Sequence, residues 1–215
     1  MQKHLEQVVI VGNGEDWKKE KVIRFCQKAD FIIAADNGLT LLHNLNIQPN
    51  LIIGDFDSVS HELLEYYHHV PSKKHPIKKN FTDSELCIQE AISMNAKEII
   101  LLAMTGEYFD HSYASIMNFF RNYHKNINMK IITSNSTIFP VTEKTILSGF
   151  KDRRFSLFPL TNVTQFTMTG SQYNFLKDNL SFTDYSISNT IIKDKLEISF
   201  KKGKLFCVLF DKGFK

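Results

Sequence analysis

The 215-residue sequence predicts an α/β unit with a mostly parallel open sheet and flanking helices, followed by an all-β, sandwich-like unit. Three observations predict it. Short apolar runs alternate with amphipathic helical stretches through the first part of the chain, the pattern of a parallel sheet covered by helices. Near residue 140 the helical stripes give way to short stretches of partial period-two alternation, punctuated by Pro140, Gly149 and Pro159. Polar turn residues follow each apolar run of the first part, so the strand ends carry groups able to do chemistry. The expected boundaries are 1–140 and 141–215.

Each element follows from local sequence. Val8-Val9-Ile10-Val11 is a β-branched run that turns at Gly12-Asn13-Gly14. Asp16 is expected to cap a helix over Trp17 to Lys28, with Val22, Ile23, Phe25 and Cys26 on its apolar side. Phe31 to Ala35 forms the second strand and runs into Asp36-Asn37-Gly38, ahead of a helical stretch from Leu39 to Leu45. Leu51-Ile52-Ile53 is the third strand and leads into Gly54-Asp55-Phe56-Asp57-Ser58. Ser60 caps a helix carrying Leu63, Leu64 and Tyr67, and Val70 to Lys79, rich in Pro and Lys, reads as extended chain or loop. Thr82-Asp83-Ser84-Glu85 is a capping-box pattern, and the helix after it places Cys87, Ala91 and Met94 on one stripe. Glu98 to Leu102 is the fourth strand, ending near Thr105-Gly106, and a helix from about His111 to His124 shows Tyr113, Ile116, Met117, Phe120 and Tyr123. Lys130 to Thr133 is the fifth strand, ending at Ser134-Asn135. Further on, Phe155 to Pro159, Val163 to Met168 and Leu196 to Phe200 read as strands. Lys201-Lys202-Gly203-Lys204 reads as a turn that makes Leu196–Phe200 and Leu205–Phe210 a hairpin.

Composition narrows the function classes. Hydrophobic residues at 43% and charged residues at 23% are ordinary for a globular protein, and 18 Phe supply a sizeable core. A formal charge of +3, without a concentrated basic face, gives no case for a nucleic-acid or membrane-surface protein. No apolar run approaches the length of a membrane span. Cys26, Cys87 and Cys207 are scattered among apolar neighbours, which argues against a disulfide framework or a CxxC zinc site and for buried free thiols. The expected compartment is the cytoplasm.

In an open α/β sheet the segments after the strands gather along the carboxyl edge. Asp36, Asp55 and Asp57 are therefore expected to be neighbours, with Asp83 at the positive end of a helix close by. Crowded carboxylates repel one another. A hard divalent cation such as Mg²⁺ relieves that repulsion with oxygen ligands and can bridge a polyphosphate. Simpler readings exist for each piece: a surface turn for Gly54 to Ser58, and a plain capping box for Thr82 to Glu85. Lys78 and Lys79 lie just before that cap, where they can hold phosphate oxygens or be solvated. Gly12-Asn13-Gly14 admits a close backbone approach but lacks the full GxGxxG or P-loop pattern. Asp110-His111 opens a helix and suits substrate orientation or proton transfer, or a capping role. Asp55-x-Asp57 after a strand also fits a phosphatase that uses its first Asp as nucleophile.

Taken in order, Ala35-Asp36-Asn37-Gly38, Gly54-Asp55-Phe56-Asp57-Ser58, Lys79 with Thr82-Asp83-x-Glu85, Gly106 to Asp110-His111, and Ser188-Asn189 resemble the thiamine pyrophosphokinase (thiamine diphosphokinase) family over nearly the whole chain. The resemblance implies an N-terminal α/β catalytic domain, a C-terminal β domain and a homodimer with active sites between subunits. It implies transfer of pyrophosphate from ATP to the thiamine hydroxyl, with Mg²⁺. By position, Asp36, Asp55, Asp57 and Asp83 become candidates for the metal and the polyphosphate, with Asp55, Asp57 and Asp83 the catalytic set. Asn37, Lys79, Thr82, Asp110 and His111 fall on the nucleotide side, and Ser188 and Asn189 at thiamine. Gln172-Tyr173-Asn174 is similar to an aromatic-bearing segment of the family. Two positions depart from the family pattern: Tyr108 stands where it usually has Arg, and Asn80 where it usually has Asp. Arg121, Lys125 and Lys130 are nearby cations that could replace the missing charge. The first departure also leaves room for a non-catalytic nucleotide- or thiamine-binding protein.

Overall fold

The β-branched runs of the first part form strands buried on both faces, the environment in which parallel pairing is stable. The computed structural model describes residues 5–75 and 82–213. The first elements are β1 (Gln7–Val11), α1 (Lys19–Cys26), β2 (Phe31–Ala35), α2 (Gly38–Asn44), β3 (Leu51–Gly54), α3 (His61–Tyr66) and β4 (Ser72–Lys74). They continue with α4 (Asp83–Ser93), β5 (Glu98–Leu102), α5 (Phe109–Arg121) and β6 (Asn128–Ile132). These strands lie in the order β6-β5-β1-β2-β3-β4, and every neighbouring pair is parallel. The order runs outward in opposite directions from β1, so the switch point lies between β1 and β5, where sheets of this kind bind ligands. One face of the sheet is sealed by Val22, Leu39 and Leu42 packed on Val9, Val11, Ile100 and Leu102.

Three local expectations shift. The helix expected from Trp17 begins at Lys19, because its N-cap Lys18 makes no side-chain cap and Asp16 bonds elsewhere. Part of the stretch from Val70 to Lys79 pairs with β3 as β4, whose three residues are all exposed. An edge strand of two lysines and a serine carries no apolar signal, and its charge blocks further pairing. The helix α5 starts at Phe109, ahead of the expected His111.

The chain divides into two compact units, Met1–Ser134 and Asn135–Lys215. The second contains β7 (Ser136–Val141), β8 (Lys144–Ser148), β9 (Arg154–Pro159), β10 (Val163–Thr169), β11 (Phe175–Leu180), β12 (Ser186–Thr190), β13 (Lys195–Ser199) and β14 (Leu205–Phe210). Its strands pair antiparallel in the orders β12-β9-β14-β7 and β11-β10-β13-β8. Alternate residues of both sheets, among them Phe155, Leu157, Phe166, Met168, Leu196, Ile198, Cys207 and Leu209, form one sandwich core. The expected hairpin of the last two strands is corrected here: β13 pairs with β8 and β10, whereas β14 pairs with β7 and β9. A hairpin and an arch between sheets both bury alternate residues, so alternation does not distinguish them.

Cys26, Cys87 and Cys207 are buried and form no disulfide, as expected. Burial pushes the Cys26 thiol up to about 12 and raises Cys207 further, so neither is a reactive thiolate. Among the described residues no helix is long and apolar enough to cross a membrane.

Candidate active site

Parallel pairing of β2 with β3 aligns Ala35 with Ile53, so the turns after these strands emerge side by side. Asp36 and Phe56 then adopt left-handed backbone conformations, with φ of 48° and 66°. Such turns fold the two chain ends toward each other; Asp tolerates the conformation better than Phe does. The Asp36 carboxylate accepts the Phe56 N–H at 3.2 Å and the Ser58 hydroxyl, which anchors it over the second turn. Gly54 is required beneath it, since a Cβ there would lie 2.9 Å from Asp36 Oδ1. The outcome is a cluster in which one carboxylate oxygen each from Asp36, Asp55 and Asp57 lie within 4.8 Å of one another. A hydrogen bond with the Asp55 side chain raises the Asp57 carboxyl above its ordinary pKa, and the charges of Asp55, Asp36 and Asp83 add to the rise. The group is a crowded set of hard oxygen donors, which is what a divalent hard cation takes.

Beside this cluster, at the switch point, opens a cleft of about 600 Å³ lined by Gly12, Asn13, Asp83, Tyr108, Asp110 and His111 among others. Thr82 caps α4 by accepting the Glu85 N–H at 3.2 Å, so Asp83 occupies the first turn as expected. Asn37 accepts the Thr40 hydroxyl at 2.5 Å and donates to Asn13 at 3.2 Å, linking the turns after β1 and β2 rather than facing the cleft. Tyr108 is 65% exposed, its ring 5.8 Å from that of His111. Of the cations considered as substitutes for the missing arginine, Arg121 lies 3.6 Å from Glu85 and Lys130 lies 3.0 Å from Glu98. Lys79, Lys78 and Asn80 lie outside the described residues.

Two networks behind the site were not expected. Asp16, read as a helix cap, instead accepts the Ser134 N–H at 3.1 Å and the Thr105 hydroxyl at 3.2 Å, tying together the turns after β1, β5 and β6. The residue directly after Gly14-Glu15 looks like a cap because Asp suits both positions. Buried Asn118 of α5 donates to Thr82 Oγ1 at 2.9 Å, and Asn122, which caps the end of α5, donates to the buried Glu85 carboxylate at 3.3 Å. Two Asn four residues apart beside the apolar stripe of α5 were the available signal.

In the second unit, Ser188 and Asn189 have different fates. Ser188 is exposed, has φ of 55° and accepts a hydrogen bond from Arg154 Nη2 at 2.9 Å. Asn189 is 0% exposed. Its amide accepts the Tyr173 N–H at 3.1 Å and donates to the Tyr173 carbonyl at 2.7 Å. The Asn189 side chain is thus engaged with the Tyr173 main chain, and the Tyr173 ring beside it is 61% exposed.

Comparison with known proteins covers both units. The family model described as "Thiamin pyrophosphokinase, catalytic domain" matches residues 22–131, and "Thiamin pyrophosphokinase, vitamin B1 binding domain" matches residues 135–205. A curated Thiamine pyrophosphokinase of Bacillus subtilis is 26% identical over 182 residues, covering 82% of this chain and 85% of that protein. The crystal structure of Thiamine pyrophosphokinase from Bacillus subtilis superposes with a TM-score of 0.83 at 21% identity, over 96% of this chain and 100% of that one. The yeast Thiamin Pyrophosphokinase structure gives 0.82 at 16% identity, over 97% and 87%. These two establish likeness of fold.

Proposed function

Because the chain belongs to the thiamin pyrophosphokinase family, matched in both its catalytic and its vitamin B1-binding models, we propose that it transfers a pyrophosphoryl group from ATP to the hydroxyl of thiamine, giving thiamine diphosphate and AMP. The observation that carries the reading is the cluster of Asp36, Asp55 and Asp57 next to a cleft at the switch point of the sheet. The hydroxyl oxygen of thiamine attacks the β-phosphorus, its proton passes to one of the site carboxylates, the bond from that phosphorus to the oxygen of the α-phosphate breaks, and AMP leaves with that oxygen. Such transfer depends on positioning and on stabilising developing charge.

The residues divide the work. Asp36, Asp55 and Asp57, with Asp83, are the group that would hold Mg²⁺, and their crowded oxygens fit it. Bound there, the ion supplies charge neutralisation for the triphosphate. The start of α4, with Thr82 and Asp83, and the Asp110-His111 start of α5 border the nucleotide, and Lys79 contacts its phosphates. Ser188 meets thiamine directly, and Asn189 serves it through Tyr173. Neither the phosphatase nor the non-catalytic reading gains support from the family match. A homodimer completes the proposal, with each active site shared between subunits. It is supported by large apolar side chains left exposed in each unit, including Phe109, Tyr113, Leu176 and Phe182. Buried thiols that form no disulfide suit a cytoplasmic compartment.

The test is AMP formation from ATP, with and without thiamine and Mg²⁺, by the wild type and by Asp57→Asn. Thiamine- and Mg²⁺-dependent AMP from the wild type, nearly abolished in Asp57→Asn, is expected. Phosphate release from a monoester without thiamine would refute the kinase reading, and equal turnover by the two proteins would remove the metal role from Asp57.

A further inference from the structure

We infer that Arg154 decides how Ser188 meets the substrate, biasing its hydroxyl to donate a hydrogen bond to an acceptor nitrogen of the thiamine pyrimidine ring. This inference rests on the thiamine reading above and adds a positioning residue that also sets specificity.

Arginine has donors only, so the 2.9 Å bond between Arg154 Nη2 and Ser188 Oγ runs one way, with Ser188 accepting. The serine keeps one lone pair and its hydroxyl proton, and among the described residues no acceptor takes that proton. The Ser188 main chain is anchored as well, its N–H donating to Ser156 Oγ at 3.3 Å. Ser188 lies where the register of β12 against β9 shifts, between Ser186 and Asn189, and its φ of 55° is one that L-residues adopt at a cost. Irregularities of this kind re-aim a side chain. The hydroxyl is thus exposed, held from behind and polarised toward donation.

Arg154 itself is held in an unusual way. Its guanidinium lies over the Phe210 ring, 4.8 Å from the centroid, and no carboxylate pairs with it among the described residues. Its Nε is buried with no hydrogen-bond partner. A buried donor left unpaired costs stability, so this placement is poorly explained as a stabilising device. The aromatic face holds the cation without neutralising it, and an undiminished positive charge stands beside Ser188. That charge strengthens the serine as a donor and repels the thiazolium of thiamine. The neutral aminopyrimidine, whose ring nitrogens accept hydrogen bonds, is the end of the substrate that suits it.

The experiment measures kcat and KM for thiamine and for ATP in wild type, Arg154→Met, Arg154→Gln, Ser188→Ala and the Arg154→Met/Ser188→Ala double variant. Each is also measured with a thiamine analogue that carries C–H in place of the acceptor ring nitrogen. Loss of Arg154 is expected to raise the thiamine KM roughly tenfold, as for one charge-assisted hydrogen bond, while kcat and the ATP KM change by less than about twofold. The double variant is expected to be no worse than Ser188→Ala, and Arg154→Met to lose the wild-type preference for thiamine over the analogue. Arg154→Gln keeps an N–H donor without the charge and falls between, and it carries the test if Arg154→Met does not fold. Additive effects of the two single substitutions, or an unchanged preference for thiamine, overturn the inference. Wild type that makes AMP with thiamine while Arg154→Met matches it sinks the inference alone; wild type that makes no such AMP sinks the functional reading and this inference together.

Discussion

Replacing Asn189 by Ala separates a ligand-binding asparagine from a structural one. Asn189 is fully buried, and its amide makes two hydrogen bonds across the chain to the Tyr173 main chain, at 3.1 and 2.7 Å. It also accepts the Thr190 N–H at 2.9 Å. A typical intramolecular hydrogen bond contributes about 1 kcal/mol net, and a buried polar group left without its partner costs about 1–3 kcal/mol. Losing the two bonds to Tyr173, with part of that penalty, comes to about 2–4 kcal/mol. In urea, with a slope of about 1–3 kcal/mol per molar, the midpoint of the β-unit is expected to fall by about 1 M or more. The assay is urea unfolding followed by near-ultraviolet circular dichroism, alongside thiamine KM measured well below the transition. An unchanged midpoint together with a large rise in thiamine KM would refute the structural role and return Asn189 to the ligand.

Further expectations follow from the same geometry. Asp57→Asn is expected to raise the metal-free melting temperature near neutral pH while removing activity. Folding raises the Asp57 pKa, so the native state favours its protonated form, and metal-free stability declines as pH rises through the raised value. Thermal scans against pH check this, and Mg²⁺ is expected to raise the melting temperature of the wild type and not of the variant. Gly38→Ala places a Cβ 2.0 Å from the Val11 carbonyl oxygen, a backbone atom that cannot step aside, and a loss of about 3 kcal/mol or more is expected in urea unfolding. Asn118→Ala removes the bond that ties α5 to the cap of α4; stability is expected to drop by about 1 kcal/mol, and the ATP KM to rise while the thiamine KM holds.

The order of strands and helices in the first unit was readable because its apolar runs are short, β-branched and separated by amphipathic stretches. Glu98–Leu102 and Phe31–Ala35 match their expected bounds. The nearness of Asp36, Asp55 and Asp57 was readable for the same reason, since parallel strands deliver their following turns to one edge. What escaped was decided by tertiary bonds. Asp16 has the local chemistry of a helix cap, and only the approach of Thr105 and Ser134 diverts it. Glu85 has the spacing of a capping box, yet its carboxylate is buried against Asn122 at the end of another helix. Ser188-Asn189 was legible as a motif but not in its division of labour. One residue of register irregularity exposes the serine and buries the asparagine, and no pattern in Ser186 to Thr190 announces it. In the second unit, the partners of β13 and β14 depended on which sheet each strand joined.

The place of β14 has a consequence for how the protein is made. It lies between β7 and β9, so the middle of that sheet is supplied by its last strand in sequence. As the polypeptide leaves the ribosome, β7 and β9 emerge before the strand that joins them. Both therefore present open edges to the cell until Leu205–Phe210 arrives. Within the first unit the last strand in sequence, β6, pairs with β5 at the side of the sheet. Synthesis thus leaves the sandwich unfinished until its last moments, and a nascent chain stalled before residue 205 is expected to be the form most exposed to aggregation and to chaperone capture.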